Sequence, residues 1–520
     1  MITHVVFKHR IQSLLVAAVF GLLATGCRTY KEQNHVIQYW QQGLLTNAVT
    51  EANLMAKKNA NNKDTVIWRL EQGAVLRGAG KYEESNKTFD QAQEKMDDYA
   101  NKAKVRLGQE TGALFSNQAE LDYEGHAYDG VMLNTYKALN YLQLGEPDKA
   151  RVELIRAYQR QQDAVEINKK RIAKVQEEAA NSKDNAAIDK AQRDPKLQSQ
   201  MQGAYNNLDN LKAYADYVNP FTVYLDGLFF MADAVDGSDL ERARKSFERV
   251  VGFDPDNKYV KQDLAMVEGV INGKPLPPTT YVIFETGCAP VRDQIRIDVP
   301  LFLVSKASYV GAAIPTLKPQ GNCLPSLTVT ANSFVVTTNN TVTTKATNDA
   351  TVTAGNTTTA NIGAVVTASS TTTTTDITTA TTSSISATTS PIASLDSVIG
   401  LDFKNELPAV ITKTIASTVI KAVATQVVNN NSSQGQSLLA LVMIAYQVAV
   451  NIADERTWTT LPKEFQACHI PTPPDRKIEL NTPDGRQKIP VTIEDGTINI
   501  VYVKSITATS PLLVTQCKLK

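Results

Sequence analysis

Sixty-four consecutive residues, Leu327 to Ser390, hold 25 threonines and only three charged side chains, Lys345, Asp349 and Asp376. Few large apolar groups are present to offset the entropy of ordering such a stretch, so it cannot build a globular core. Whatever folds in this 520-residue chain must fold on either side of the tract or across it. Threonine favours extended backbone, and Val329, Val335, Val342 and Val352 alternate loosely with polar neighbours. A disordered insertion is the favoured expectation, and a β-ribbon stacked on its neighbours is the competing one.

Upstream, Tyr30 to about Asn272 reads as helix, apolar at helical spacing and rich in Ala, Leu, Glu, Lys and Gln. Three stretches align with one another. The first runs Gly73, Gly80, Tyr82, Ser85, Phe89, Ala92. The second runs Ala138, Tyr141, Gly145, Ala150, Leu154, Ala157. The third runs Ala243, Phe247, Val250 and then Asp254-Pro255. Small residues at these positions let paired helices approach, and the aromatics fill the space between them. The pattern resembles the tetratricopeptide repeat, a helix-turn-helix unit of about 34 residues. Ser85 stands where the repeat has alanine, only the third stretch keeps the terminal proline, and the unit starts are unevenly spaced. Inserted helices between the units are therefore expected. The polar run Gln159 to Asp209, with Lys169-Lys170-Arg171 and Glu177-Glu178, suggests a projecting helical arm or a solvated helix face.

The N-terminus carries a basic lead (Lys8, Arg10), an apolar run from Ile11 to Leu23 and the exit Ala24-Thr25-Gly26-Cys27. This is the layout of a secretory signal peptide, and its apolar run is too short for a permanent span. Small residues ending at a cysteine resemble the bacterial lipobox, although Ala24 replaces the usual leucine. The resemblance implies lipidation at Cys27, and Arg28 in place of aspartate implies release to the outer membrane with the body in the periplasm. Removing Lys8 and Arg10 with the signal leaves 51 basic and 53 acidic residues, a net charge of −2. No basic face points to nucleic acid.

Gly273-Lys274-Pro275-Leu276-Pro277-Pro278 ends the helices. Tyr281 to Glu285 and Ile295 to Leu303 have strand character. Glu406 to Val428 is an amphipathic helix, with Leu407, Val410, Ile411, Ile415, Val419, Val423 and Val427 on one face. Leu438 to Val450 is apolar nearly all round and reads as a buried helix or a membrane-touching segment. Lys477 to Leu480, Ile489 to Glu494, Thr497 to Thr507 and Leu512 to Leu519 read as strands of a small antiparallel sheet, with hairpin turns at Asp484-Gly485 and Asp495-Gly496. The expected order is 1–26 signal, 27–272 helical array with its arm near 159–209, 273–326 β-containing segment, 327–393 insertion, 394–475 helical pair and 476–520 strands. The fold class is mainly α and multidomain, with a smaller α+β C-terminal unit. Besides Cys27 there are Cys288, Cys323, Cys468 and Cys517, none in a CxxC pair. In an oxidising compartment an even count favours disulfides over metal. Three connectivities are open; chain proximity favours Cys288 with Cys323 and Cys468 with Cys517, and free buried thiols are the alternative.

Leu133 to Tyr141 with Ala150-Arg151-Val152-Glu153, Tyr281 to Pro290, Phe403 to Lys421, and Ala453-Asp454-Glu455-Arg456-Thr457-Trp458-Thr459-Thr460-Leu461-Pro462 together resemble a bacterial tetratricopeptide-repeat-like outer-membrane lipoprotein family. That resemblance implies a location and an architecture rather than a reaction. Its members are reminiscent of proteins encoded beside lipoprotein activators of peptidoglycan synthases, which hints at partners. Among catalytic signatures, HExxH, GxSxG, the P-loop and the dinucleotide glycine turn are missing, and the three histidines left after signal removal, His35, His126 and His469, show no ligand spacing. No cofactor or metal is expected. Adjacent Cys468 and His469 on a strand would face opposite ways, against a nucleophile–base pair. Asp454 and Arg456 can pair beneath Trp458 as a structural corner, or line a glycan or peptide site. The expected function is a non-enzymatic scaffold, anchored through Cys27, that holds an envelope protein or peptide in its helical groove. The alternative is a cell-wall-binding or processing module in the C-terminal unit.

Overall fold

The computed structural model describes residues 28–106, 119, 121–211, 214–215, 217–301, 308–343, 374–430 and 453–520. The helical part comprises α1 (Arg28–Gln41), α2 (Leu45–Lys58), α3 (Thr65–Gly78), α4 (Tyr82–Arg106), α5 (Ala127–Gln143), α6 (Pro147–Ala180), α7 (Asn185–Gln192), α8 (Pro195–Tyr205), α9 (Pro220–Ala232), α10 (Gly237–Phe253) and α11 (Lys258–Ile271). The first two aligned stretches fall on the pairs α3/α4 and α5/α6, and the third on α10, which packs against α9, and the turn after it. Gly80 and Gly145, at φ +74° and +71°, turn the chain from the first helix to the second within each of the first two pairs, in a region that favours glycine. Gly73 lets α3 and α4 touch, since a Cβ there would stand 2.4 Å from the Phe89 ring. Gly227 plays the same part against Phe247, at 3.0 Å. Ser85 replaces alanine for a local reason: its hydroxyl donates to Gly73 O (2.7 Å) and accepts from Asn140 Nδ2 (2.9 Å), joining two neighbouring pairs.

The C-terminal unit contributes β1 (Thr279–Thr286), β2 (Val291–Leu301), β3 (Ser308–Lys318), β4 (Thr328–Thr343), β5 (Thr374–Thr388), β6 (Ser390–Ser394), α12 (Leu395–Asn430), β7 (Glu464–Pro471), β8 (Lys477–Asn481), β9 (Lys488–Thr492), β10 (Ile498–Ser505) and β11 (Leu513–Lys518). A central sheet runs β11-β10-β1-β7-β6, with β1 and β10 parallel. Every residue of β1 and β10 is buried, as expected of strands covered on both faces. Tyr281, Ile283, Phe465, Ala467, Ile500 and Tyr502 face the helices and share one core with them. Val282, Phe284, Cys468, Ile470, Val501 and Val503 face the second sheet, β5-β4-β8-β9. The fold is mainly α and multidomain, and its helical stack rests on a mixed sheet.

Several expectations change. The last four strands do not form one antiparallel sheet: β8 and β9 pair in the outer sheet, β10 and β11 in the central one. Asp484-Gly485 does turn a hairpin, with Gly485 at φ +69°, whereas Asp495-Gly496 carries the chain between sheets. A turn dipeptide reports a local reversal and says nothing about a distant partner such as β1. The segment expected as a helical pair also contains β7, β6 closes the stretch expected as the insertion, and α12 begins well before Glu406, with Pro408 inside it. The apolar stretch Leu438 to Val450 lies outside the described residues. The polar arm does not stand alone: Ile188, Ala191, Leu197 and Met201 of α7 and α8 pack with Ile297, Val299, Ala312 and Ile314 of the β2–β3 hairpin and with Ile415 and Val419 of α12. The threonine tract is a ribbon at its base rather than a disordered insertion throughout. Strands β4 and β5 pair from Thr328 opposite Thr388 to Thr343 opposite Thr374. The root of β4 also pairs with β8 and buries Val329 and Ala331, so an existing sheet edge supplies the apolar contact that the tract lacks.

Candidate functional site

Residues 453–462 lie in the seam between the helical stack and the sheet. Trp458 is fully buried; its ring meets Phe89 of α4 and Tyr136 of α5 at centroid distances of 5.8 and 5.9 Å, and its Nε1–H donates to Thr460 Oγ1 at 3.0 Å. A surface aromatic for stacking on a glycan is therefore not what Trp458 provides. Arg456 grips Asp454 through Nε (2.8 Å) and Nη2 (2.7 Å), and reaches across to Asp64 Oδ1 (3.1 Å) and Leu121 O (2.9 Å) with Nη1. Burial opposes the charge of Asp454, yet this two-pronged guanidinium holds its carboxyl below the usual range. The three sequence candidates thus come together as a structural corner.

Glu71 of α3 receives the next two residues. Its Oε1 accepts from Thr459 N (2.5 Å) and Oγ1 (2.7 Å), and its Oε2 from Thr460 N (3.2 Å) and Oγ1 (2.8 Å). Burial pushes its pKa up to about 7, against the pull of these four donors. Farther along the seam, Glu285 of β1 accepts from Tyr136 Oη (3.0 Å), from Tyr502 Oη and from Lys504 Nζ (2.6 Å). The Arg77 guanidinium lies over the Tyr136 and Tyr502 rings. The inner surface of the helix pairs is thus lined by contacts to the chain's own C-terminal unit.

A second polar cluster sits where α5, α6, β2 and α12 converge. Asp402 and Glu406, one turn apart on α12, project toward His126, which precedes α5. His126 Nδ1 is 3.0 Å from Glu406 Oε1 and 3.2 Å from Arg292 Nη2, and Arg292 Nη2 donates to Glu406 Oε2 at 2.7 Å. The His126 backbone N–H (2.8 Å) and Tyr123 Oη (2.6 Å) donate to Asp129 Oδ2, and Tyr128 stacks on the imidazole. Arg171 of α6 approaches Glu406 to 3.7 Å from a half-exposed position. Burial opposes ionisation of Glu406, but Arg292 and His126 hold its carboxyl well below the usual range. Burial, together with the charge of Glu406, pushes Asp402 up to about 7. Sequence reasoning missed this group, because only the Asp402/Glu406 spacing is local; His126 and Arg292 arrive through the fold.

The four downstream cysteines are free thiols. Cys468 and Cys517 lie on β7 and β11, three strand spacings apart and on opposite faces, which excludes a bond between them. Cys288 and Cys323 come near, with Cys323 Cβ packed 2.7 Å from where a Cβ on Gly287 would stand, but Cys288 Sγ turns to Ile506 O at 3.5 Å. Burial raises all four thiols, Cys468 and Cys517 up to about 12, so none is poised as a nucleophile. His469 points away from Cys468, placing Nε2 3.4 Å from Asp263 Oδ1.

The class this fold defines is a stack of helix pairs covered on its inner side by a mixed sheet. No family model and no curated protein matches the chain. Among solved structures it is similar to a tetratricopeptide repeat protein from Parabacteroides merdae, over 46% of this chain and 98% of that one, at 13% identity and a TM-score of 0.13. So low a score carries no argument about function.

Proposed function

We propose that the protein is a non-enzymatic scaffold of the bacterial envelope, acylated at Cys27 and held on the outer membrane with its body in the periplasm. It docks another envelope protein or peptide, in connection with peptidoglycan synthesis. The observation that carries this reading is in the sequence, where a basic lead and the apolar run Ile11 to Leu23 end at Ala24-Thr25-Gly26-Cys27 and are followed by Arg28. Among the described residues no helix is long and apolar enough to cross a membrane, in keeping with an anchor that is lipid. Because the inner surface of the stack holds the chain's own residues 453–462, a partner meets the outer faces, where Leu54, Val152, Tyr158 and Ile167 are exposed. Mass spectrometry of the mature N-terminal peptide, with fractionation of wild type and Cys27→Ser, tests the proposal. The wild type should carry acyl chains and sediment with outer membrane, and the variant should be released along with loss of its envelope crosslinks. An unmodified Cys27, or unchanged membrane association in the variant, would defeat it.

A further inference from the structure

We infer that His126, Asp402 and Glu406 form a structural site for one divalent transition-metal cation that pins α12 to the start of α5. Ligand atoms of the three side chains lie within 4.8 Å of one another, a span that one cation at about 2.0–2.2 Å from each ligand bridges after a shift of a few tenths of an ångström. The two carboxylates share one face of α12, and the imidazole comes from another element, so the ion would join parts of the chain far apart in sequence.

The polar atoms around the cluster supply a second, independent indication. Among the described residues, His126 Nε2, Tyr128 Oη, Asp129 Oδ1, Arg292 Nε and Asp402 Oδ2 are buried with no hydrogen-bond partner. Asp402 is 2% exposed and Arg292 3%. Five such atoms in one place are unusual, because a buried polar group without a partner costs about 1–3 kcal/mol. Charge points the same way. Asp129, Asp402 and Glu406 face one buried guanidinium, Arg292, with Arg171 only at the rim. The imidazole is also over-committed on one side: Nδ1 is within reach of a carboxylate, which needs a proton there, and of a guanidinium, which needs a lone pair. A cation between Nδ1 and Glu406 Oε1, which lie 3.0 Å apart, would take the Nδ1 lone pair and replace the proton that the carboxylate otherwise needs there. One imidazole nitrogen with carboxylate oxygens suits zinc or manganese better than calcium or magnesium. Arg292 keeps the second oxygen of Glu406 and so holds that carboxylate in place from outside the ligand set.

The test uses the full-length protein in detergent, without an oligohistidine tag, stripped with chelator and titrated with Zn²⁺ and with Mn²⁺. Calorimetry should give one ion per chain, and the melting temperature should rise. Asp402→Asn is the chosen variant, because Oδ2 has no partner to lose and Glu406 keeps its pair with Arg292. It should melt like the metal-free wild type and bind the ion about 100-fold more weakly. Absence of binding by wild type, or equal binding by Asp402→Asn, overturns the proposal. So does a cluster that gains stability on acidification but not on addition of either metal, since a proton would then fill the role assigned to the ion.

Discussion

Glu71 shows how one side chain couples the stack to the C-terminal unit. An unfolded glutamate ionises near 4.5, whereas burial holds this one to about 7. The folded state therefore keeps its proton while the unfolded state has lost it. The stability from this group is fully present below about pH 4.5 and is lost as pH rises through 7, a change on the order of 3 kcal/mol. Urea unfolding at pH 5, 6 and 7 should show wild type losing stability across that window relative to Glu71→Gln, whose amide cannot ionise. Equal pH slopes would mean that Glu71 is ionised throughout. Nothing near Glu71 in sequence announces this role, because Thr459 and Thr460 lie in the opposite half of the chain. Gly73 and Phe89 were legible, since a small residue facing an aromatic across a helix turn is local geometry.

The threonine tract and α12 are the elements that the sequence describes least well. Leucine, valine and isoleucine spacing marks α12 from Leu407 onward, but its first turns bury Leu395, Val398 and Ile399 against other elements and carry no clean periodicity. In the tract, β4 and β5 persist because the outer sheet offers an edge, and their described pairs run out to Thr343 opposite Thr374. Replacing 344–373 by Asn-Gly, which favours a two-residue hairpin turn, should therefore leave the fold intact and shift the melting temperature by no more than about 2 °C. A chain that fails to fold after this replacement would show that the segment does more than connect the strands.

Across the molecule, the helical stack and the sheet share a single core, so the stack is not a self-sufficient solenoid. Cutting at the Gly273 to Pro278 break would strip Tyr281, Ile283, Phe465 and Tyr502 from that core and leave Glu71, Arg77 and Asp64 without their C-terminal partners. A buried charge that loses its partner costs about 3–5 kcal/mol. Residues 28–272 expressed alone should melt without cooperativity and bind a hydrophobic dye, and adding residues 273–520 should restore a cooperative transition. A sharp melt of the isolated fragment near that of the whole chain would separate the two units after all.

Helix pairs, their turn glycines, the aromatic that each pair encloses and most strand segments could be read from residue order, because each depends on neighbours within about 30 positions. Which strands pair, what covers the inner face of the stack, that Trp458 is interior and that His126 meets Asp402 and Glu406 were settled by tertiary structure alone. These features join residues hundreds of positions apart, and their cause is the burial of two sheet faces at once, a demand that no local periodicity records.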